Sequence, residues 1–375
     1  MNIGWISAID PSGYSSCARS YIKALYKNKN CKVNSIITNV ALNINLEGID
    51  KKEIDFLSSI AIKDFSKVDF LVNHCVPDRM MLSFKRKNIL YTVCEMEIPE
   101  RWVNICNSCD IIMTASEFSK RQFVNSGVKE NIIHIIPHCH DEEIWNPKVK
   151  SLNIKNKTDF NFLFIGDYTP RKGGDLLIKS FIKAFEGNKN VSLTLKSYFN
   201  SFSVKHQKEL IDRILTIINN SGVSESKRPK IFFYGNPIDE CLMPRFMNSF
   251  DCLVSPHHGE GFGLAMSQMM FLGKPTISTN YSGNLQFMTE ENSYLIDTCG
   301  LETVDDEMAK INPNFEGKKW IKINEESLIE CMRNVVYNQG EALEKGEKAF
   351  DDMKKRFSSK VVSNQIIKLF NNEHS

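Results

Sequence analysis

Short apolar, β-prone runs recur along the chain at intervals of roughly 20 to 30 residues, with helix-spaced segments between several of them. The first run is NIGWISA. The turn DPSGYSS follows, where Gly13 is free to take positive φ, and Ala18, Tyr21, Ile22 and Leu25 then recur at helical spacing. KVNSIITN, VDFLVNH, RKNILYTV, DIIMTAS and NIIHIIP read as further strands. Alternating strands and helices predict an α/β fold with a parallel sheet covered on both faces. The pattern restarts after WNPKVKSLNIKNKTD, a polar stretch without periodicity that marks the domain boundary. FNFLFIGD, VSLTLKSY, KIFFYGN, DCLVSP and PTISTN are the strands expected of a second sheet. GGDLLIKSFIKAF, KELIDRILTIINN, LMPRFMNSF and GLAMSQMMFLG are its expected helices. The prediction is two Rossmann-like domains, 1–152 and 153–352, whose parallel sheets face an interdomain cleft. A C-terminal helix, 353–375, crosses back to the first domain. Such sheets bind ligands at the carboxyl ends of their strands.

Composition narrows the function classes. A chain of 375 residues is long enough for two domains. The formal net charge of +2, from 47 basic and 45 acidic side chains, lacks the basic excess of a nucleic-acid protein. No apolar run is long enough to span a bilayer, and MNIGWISAIDPSGY lacks the blocks of a signal peptide. Eleven scattered cysteines, an odd number, read as reduced, so a cytoplasmic location is expected. Cys106 and Cys109 form CNSC without a second pair at zinc-site spacing. HCHDEE, from His138 to Glu143, lacks further ligands at a known spacing. No metal site is therefore expected.

The stretch DCLVSPHHGEGFGLAMSQMMFLGKP reads as strand, loop and helix, with Gly273 and Pro275 ending the helix. The loop thus feeds a helix N-terminus, whose unpaired N–H groups and positive dipole suit a diphosphate. Gly261 and Gly263, on either side of Phe262, let the backbone approach a ligand closely, and the N–H groups of Gly263 and Leu264 are candidate phosphate donors. Glu260 makes little sense as a phosphate ligand beside an anion site. It suits the hydroxyls of a sugar attached to that phosphate. Gln268, in the first turns of the helix, can offer its amide to ribose hydroxyls. Gly-rich strand-to-helix turns also occur in α/β folds that hold no ligand, so the turn alone leaves both readings open.

EGFGLAMSQMMFLGKP resembles the signature of the retaining family 4 (group 1) glycosyltransferases, roughly E-G-F-G-L-x-x-x-E-A-M-A-x-G-x-P. TASEFSKRQFVNSGV, IIPHCHDEEIWNP, FLFIGDYTPRKGGDLLIKSF and NYSGNLQFMTEENSYLI resemble further segments in the family's order. The likeness runs from about Gly4 to the last helix. It implies a GT-B fold and transfer of a hexose, with retained configuration, from a nucleotide-diphosphate sugar to a glycan, lipid-linked or protein-linked hydroxyl. The nucleotide sugar is then a co-substrate, and no metal or other cofactor is implied. The resemblance makes Lys172 the cation on the donor diphosphate, with Arg171 beside it, and implies front-face transfer in which the leaving phosphate helps accept the acceptor's proton. Glu260 then holds donor-sugar hydroxyls rather than acting as nucleophile. Glu95, with Glu97 in YTVCEMEIPERW, lies where the family often has a residue facing the sugar; the alternative is a solvated loop glutamate. Gly13 and Tyr14 either close over the phosphates from the first domain or form a plain turn. Asn236 and Pro237 are candidates for the base, Tyr198 for stacking on it, and Ser282, Gly283 and Asn284 for the sugar phosphate. Arg79 to Lys87, RMMLSFKRK, is a candidate for peripheral contact with an anionic membrane, since many relatives act on lipid-linked acceptors.

Two departures stand out. The family usually has Glu at Gln268 and Arg at Asp167, so an anion replaces a diphosphate-binding cation. They favour a second reading, a sugar-nucleotide or glycan-binding relative with little turnover. A third, a GT-B-fold sugar-nucleotide epimerase, lacks an evident acid/base pair.

Overall fold

The structure is a computed structural model that describes residues 1–37, 48–83, 85–155, 157–198 and 203–373. Thr38 and Asn39 of the predicted second strand, Phe84 of the basic stretch, Asn156 of the boundary stretch and residues 374–375 of the C-terminal segment lie outside the described residues. The chain divides into two units. Unit 1 comprises Met1–Ile144, Asp239–Cys241 and Lys354–Ser375, and unit 2 comprises Trp145–Ile238 and Leu242–Met353.

Unit 1 runs β1 (Asn2–Ser7), α1 (Gly13–Lys27), β2 (Lys32–Ile37), α2 (Lys51–Ser59), β3 (Phe70–His74), β4 (Ile89–Tyr91), α3 (Glu100–Asn107), β5 (Ile111–Thr114), α4 (Glu117–Asn125) and β6 (Ile133–Ile135). Its strands are all parallel, in the order β2-β1-β3-β4-β5-β6. The order in which strands are added reverses at β1, so the carboxyl ends of β1 and β3 flank the switch point where such sheets take ligands. Every residue of β3, FLVNH, is buried, as a strand covered on both faces requires. Ser12 caps α1 by accepting from the N–H of Ser15, and Ala18, Tyr21, Ile22 and Leu25 form its buried stripe. The last helix, Ser359–Asn372, stacks Phe370 on Phe70 with ring centroids 4.4 Å apart, and Asn28 bonds its Ser363 and Asn364. Arg19, fully buried, is held by Glu53, Glu240 and the carbonyl of Asp10.

Unit 2 runs β7 (Phe160–Asp167), α5 (Gly174–Ala184), β8 (Val191–Tyr198), α6 (Val204–Asn219), β9 (Lys230–Tyr234), α7 (Met243–Met247), β10 (Cys252–Ser255), α8 (Leu264–Phe271), β11 (Thr276–Thr279) and β12 (Tyr294–Ile296). The order is β12-β11-β10-β7-β8-β9, again parallel, with the switch point between β7 and β10. Phe162, Phe164, Phe181 and Leu193 fill the core beneath α5 and α6. An antiparallel ribbon that the sequence reading missed follows, formed by β13 (Thr298–Thr303) and β14 (Lys319–Ile323) with α9 (Asp306–Ile311) between them. Then come α10 (Glu325–Tyr337) and α11 (Gln339–Phe357).

One expected boundary moves. Residues 145–152, placed in the first domain on sequence, group with unit 2. The reason is local: the Leu152 N–H donates to Ser249 Oγ, and Asn248 Nδ2 donates to the Val149 carbonyl.

Candidate active site

Two loops leave the carboxyl ends of β7 and β10, the strands flanking the switch point of the second sheet. After β7, Pro170–Lys172 makes a single 3-10 turn. Gly173 then takes φ 71°, and a Cβ there would lie 1.9 Å from the Pro256 carbonyl oxygen. Both the φ and the space demand glycine. Gly173→Ala is expected to destabilise unit 2 by about 3 kcal/mol, read as a lowered midpoint in urea denaturation.

After β10, HHGEGFG crosses beside that turn and enters α8 at Gly263. Arg171 ties the loops together. Its carbonyl accepts from the His258 N–H at 2.8 Å, and its Nη1 donates to the Gly259 carbonyl at 2.7 Å. A third turn closes the set. The Glu260 N–H donates to Ser282 Oγ at 2.9 Å, and the Glu260 carbonyl accepts from the Gly283 N–H at 2.8 Å. Ser282 holds φ 81°, the only positive φ outside glycine among the described residues. That strain marks a turn over-determined by its surroundings. A Cβ on Gly283 would sit 2.2 Å from the Gly261 carbonyl oxygen, so backbone packs on backbone there. Asn284 is fully buried and donates to the Thr279 carbonyl at 2.9 Å.

The charges converge on one atom. Glu260 Oε1 takes an ion pair from the Lys172 ammonium and has Arg171 Nη1 3.4 Å away. The three side chains are only 10%, 17% and 13% exposed, respectively. Burial alone raises a carboxyl, but here the Lys172 and Arg171 cations outweigh it and hold Glu260 down from 4.5 to about 2. A depressed folded-state value stabilises the protein above the unfolded value, and that stability is lost as pH falls through the folded one. Between pH 4.5 and about 2, unit 2 is therefore expected to lose about 3 kcal/mol through this group, a loss absent from Glu260→Gln. Urea titrations of both proteins across that range check it.

Two histidines before Glu260 were not singled out, although the HH doublet was visible. His257 is fully buried, and burial pushes it down to about 3, so it is neutral. Its Nε2 lies 3.1 Å from Ser278 Oγ. His258 stacks on Trp320 of β14, with centroids 4.3 Å apart at 19°, and its Nδ1 is 2.7 Å from the Ile321 carbonyl oxygen. The ribbon thus braces the loop that carries Glu260.

The structure brings Arg171, Lys172, Glu260, Gly261, Gly263, Ser282, Gly283 and Asn284 together. Phe262 is buried against Phe287, and Leu264 and Gln268 stand on α8, Gln268 half-buried. Asp167 ends β7 half-buried, paired across the sheet with Tyr198. Asn236, exposed, and Pro237 follow the edge strand β9, two strands from β7. Gly13, Tyr14 and Glu95 belong to unit 1. The Tyr14 hydroxyl donates to Thr92 Oγ1 at 2.9 Å and accepts from the Val93 N–H at 3.3 Å. Burial raises its phenol, and the nearby charge of Glu95 adds to that. The remaining polar motifs have structural partners. Cys109 lies buried 3.4 Å from the Met80 sulfur, Asp141 pairs with Lys27, and Glu142 accepts from the Ser359 hydroxyl. In the basic stretch, Arg86 donates to the Val68 carbonyl and Lys87 pairs with Glu373, while Met81 and Leu82 are exposed. No helix among the described residues is long and apolar enough to cross a membrane.

Residues 159–311 match the sequence model of the family described as Glycosyl transferases group 1. No curated protein matches the chain in sequence. Among solved structures, HepE of Anabaena in complex with UDP and glucose is similar with a TM-score of 0.69 at 13% identity, over 99% of this chain and 100% of that one. Sucrose-phosphate synthase from Thermosynechococcus elongatus is similar with a TM-score of 0.69 at 13% identity, over 100% and 99%. A glycosyltransferase from Rickettsia africae has a TM-score of 0.66 at 13% identity, over 99% and 98%. The chain has the GT-B fold of glycosyltransferases, and the group 1 sequence pattern covers the segment that carries Lys172 and Glu260.

Proposed function

We propose that this protein is a retaining glycosyltransferase that moves a hexose from a nucleotide-diphosphate sugar to a glycan, lipid-linked or protein-linked hydroxyl. The observation that carries the reading is the buried Glu260 carboxylate gripped by Lys172 and Arg171 where α8 opens at the switch point. In this reading the donor diphosphate draws the Lys172 ammonium off Glu260. Negative charge grows on the leaving phosphate as the glycosidic bond breaks, and the fixed cation lowers that barrier. Glu260, released, accepts from sugar hydroxyls, and Gln268 bonds the ribose. With Glu260 occupied by sugar hydroxyls, the reading keeps front-face transfer, with the leaving phosphate taking the acceptor's proton. Glu95 is proposed to orient the donor sugar or the acceptor. The UDP-glucose complex of HepE makes a uridine donor the first to try.

Nucleotide release from UDP-, GDP- and ADP-sugars tests the proposal. No release with any donor, together with no nucleotide binding by calorimetry, overturns it. Lys172 and the α8 terminus supply the positive charge a divalent ion otherwise gives, so transfer is expected to persist in EDTA, and strong inhibition refutes that part. Asp167 favours one alternative, a sugar-nucleotide binder without turnover, which calorimetry would reveal as binding without release. The exposed Met81 and Leu82 beside Arg79 and Lys85 support a peripheral contact with an anionic membrane from the cytoplasmic side, tested by cosedimentation with anionic vesicles.

A further inference from the structure

The switch point of the first sheet lies between β1 and β3. Trp5 sits on β1, and His74 is the last residue of β3. The Trp5 indole Nε1–H donates to His74 Nδ1 across 3.3 Å. An indole nitrogen only donates, so Nδ1 is the bare acceptor of the imidazole. Burial, with His138 nearby, holds His74 well below its ordinary value, so the ring is neutral and its single proton sits on Nε2. Yet Nε2 has no partner among the described residues, although His74 is only 3% exposed. A buried N–H that has given up water without gaining an acceptor calls for an explanation. Its neighbours are satisfied. The Tyr21 and Tyr91 hydroxyl oxygens lie 2.6 Å apart, so one donates to the other and the second has the Ile136 carbonyl to donate to, with His138 Nδ1 also within reach.

The walls around this donor are aromatic. Tyr91 stacks on the imidazole at 4.5 Å, and Tyr14 stands edge-on at 5.0 Å and 83°. Tyr14 opens α1 just past the exposed Ser12 and Gly13, and its hydroxyl latches to Thr92. We propose that His74 Nε2–H is the hydrogen-bond donor for the acceptor substrate, and that the carboxyl ends of β1 and β3 take a hydroxyl of an uncharged saccharide once Tyr14 turns off the ring. A neutral donor among aromatic faces matches a neutral hydroxyl and apolar sugar C–H groups, not a phosphate or carboxylate. The inference rests on the transferase reading, which requires an acceptor site.

Two variants of the full chain separate this role from a structural one. His74→Asn keeps an acceptor near Nδ1 for the Trp5 indole but removes the donor. His74→Gln places an amide N–H near Nε2. Saturation-transfer NMR with methyl α-glucoside and submicellar octyl glucoside compares free with lipid-linked saccharide, and glycerol 3-phosphate serves as the anionic arm. Wild type and His74→Gln are expected to bind either or both glucosides alike, with a dissociation constant roughly fivefold higher in His74→Asn. No glucoside binding by wild type, equal binding by His74→Asn, or binding of glycerol 3-phosphate alone overturns the proposal. UDP binding by calorimetry, expected to be equal in all three proteins, distinguishes the failures. No UDP binding, with no release from any donor, removes the transferase reading and this proposal with it. Intact UDP binding with an unaltered glucoside signal removes only the role of His74.

Discussion

Glu260→Gln is expected to slow sugar transfer by roughly 10² to 10³-fold while tightening nucleoside diphosphate binding by about tenfold. The two effects have opposite signs because one atom serves two partners. Lys172 and Arg171 both attend Glu260 Oε1, so a bare diphosphate must compete with a buried carboxylate for its cations. A glutamine of the same shape releases them. Under the proposed function it also gives the sugar hydroxyls a neutral amide oxygen in place of a charged acceptor, which weakens that contact. Initial rates with the donor identified in the panel and calorimetry with UDP at low ionic strength read both effects. Weaker diphosphate binding in the variant would show that the cations do not serve the phosphates.

Lys172→Met is expected to reduce transfer by at least about 10³-fold and to destabilise unit 2 by about 3 kcal/mol at pH 7. It leaves Glu260 buried with Arg171 at 3.4 Å as its remaining cation, so the uncompensated charge, more than the lost ion pair, sets the penalty. The pH dependence follows from the same logic. With Lys172 gone, the Glu260 carboxyl rises and protonates more readily. The variant's deficit against wild type then shrinks as pH falls toward the range where the wild-type carboxylate also takes its proton. Adding Glu260→Gln to Lys172→Met is expected to restore most of the stability and none of the transfer. Urea denaturation of the single and double variants checks this. A double variant as unstable as the single would place the damage in packing instead.

Both sheets were readable because runs such as FLVNH and FNFLFIGD are short, apolar and bounded by turn residues, and because the pattern restarts after a polar stretch. The turn into α8 was readable from its glycines and from the helix that follows. The ribbon was not. TCGLET carries a register shift between Thr298 and Leu301, and its partner KWIKI pairs with it across an intervening helix, so neither strand has a local signature. The grip on Glu260 was also hidden. The resemblance implied Arg171 and Lys172 beside a diphosphate, but which cation meets Glu260 Oε1 is settled by two loops that approach in space. Tyr14 read either as closing over phosphates or as a plain turn, and its hydroxyl's bond to Thr92 depends on a residue that lies far along the chain.

The stacking of Trp320 on His258 bears on any attempt to transplant the Lys172–Glu260 cluster. A graft of residues 159–311 would carry every residue of the Lys172–Glu260 cluster, yet the indole that props its loop lies beyond that limit. A chimera that retains the host's own sequence after 311 would inherit the chemistry without its scaffold, so Lys319–Ile323 has to travel with it.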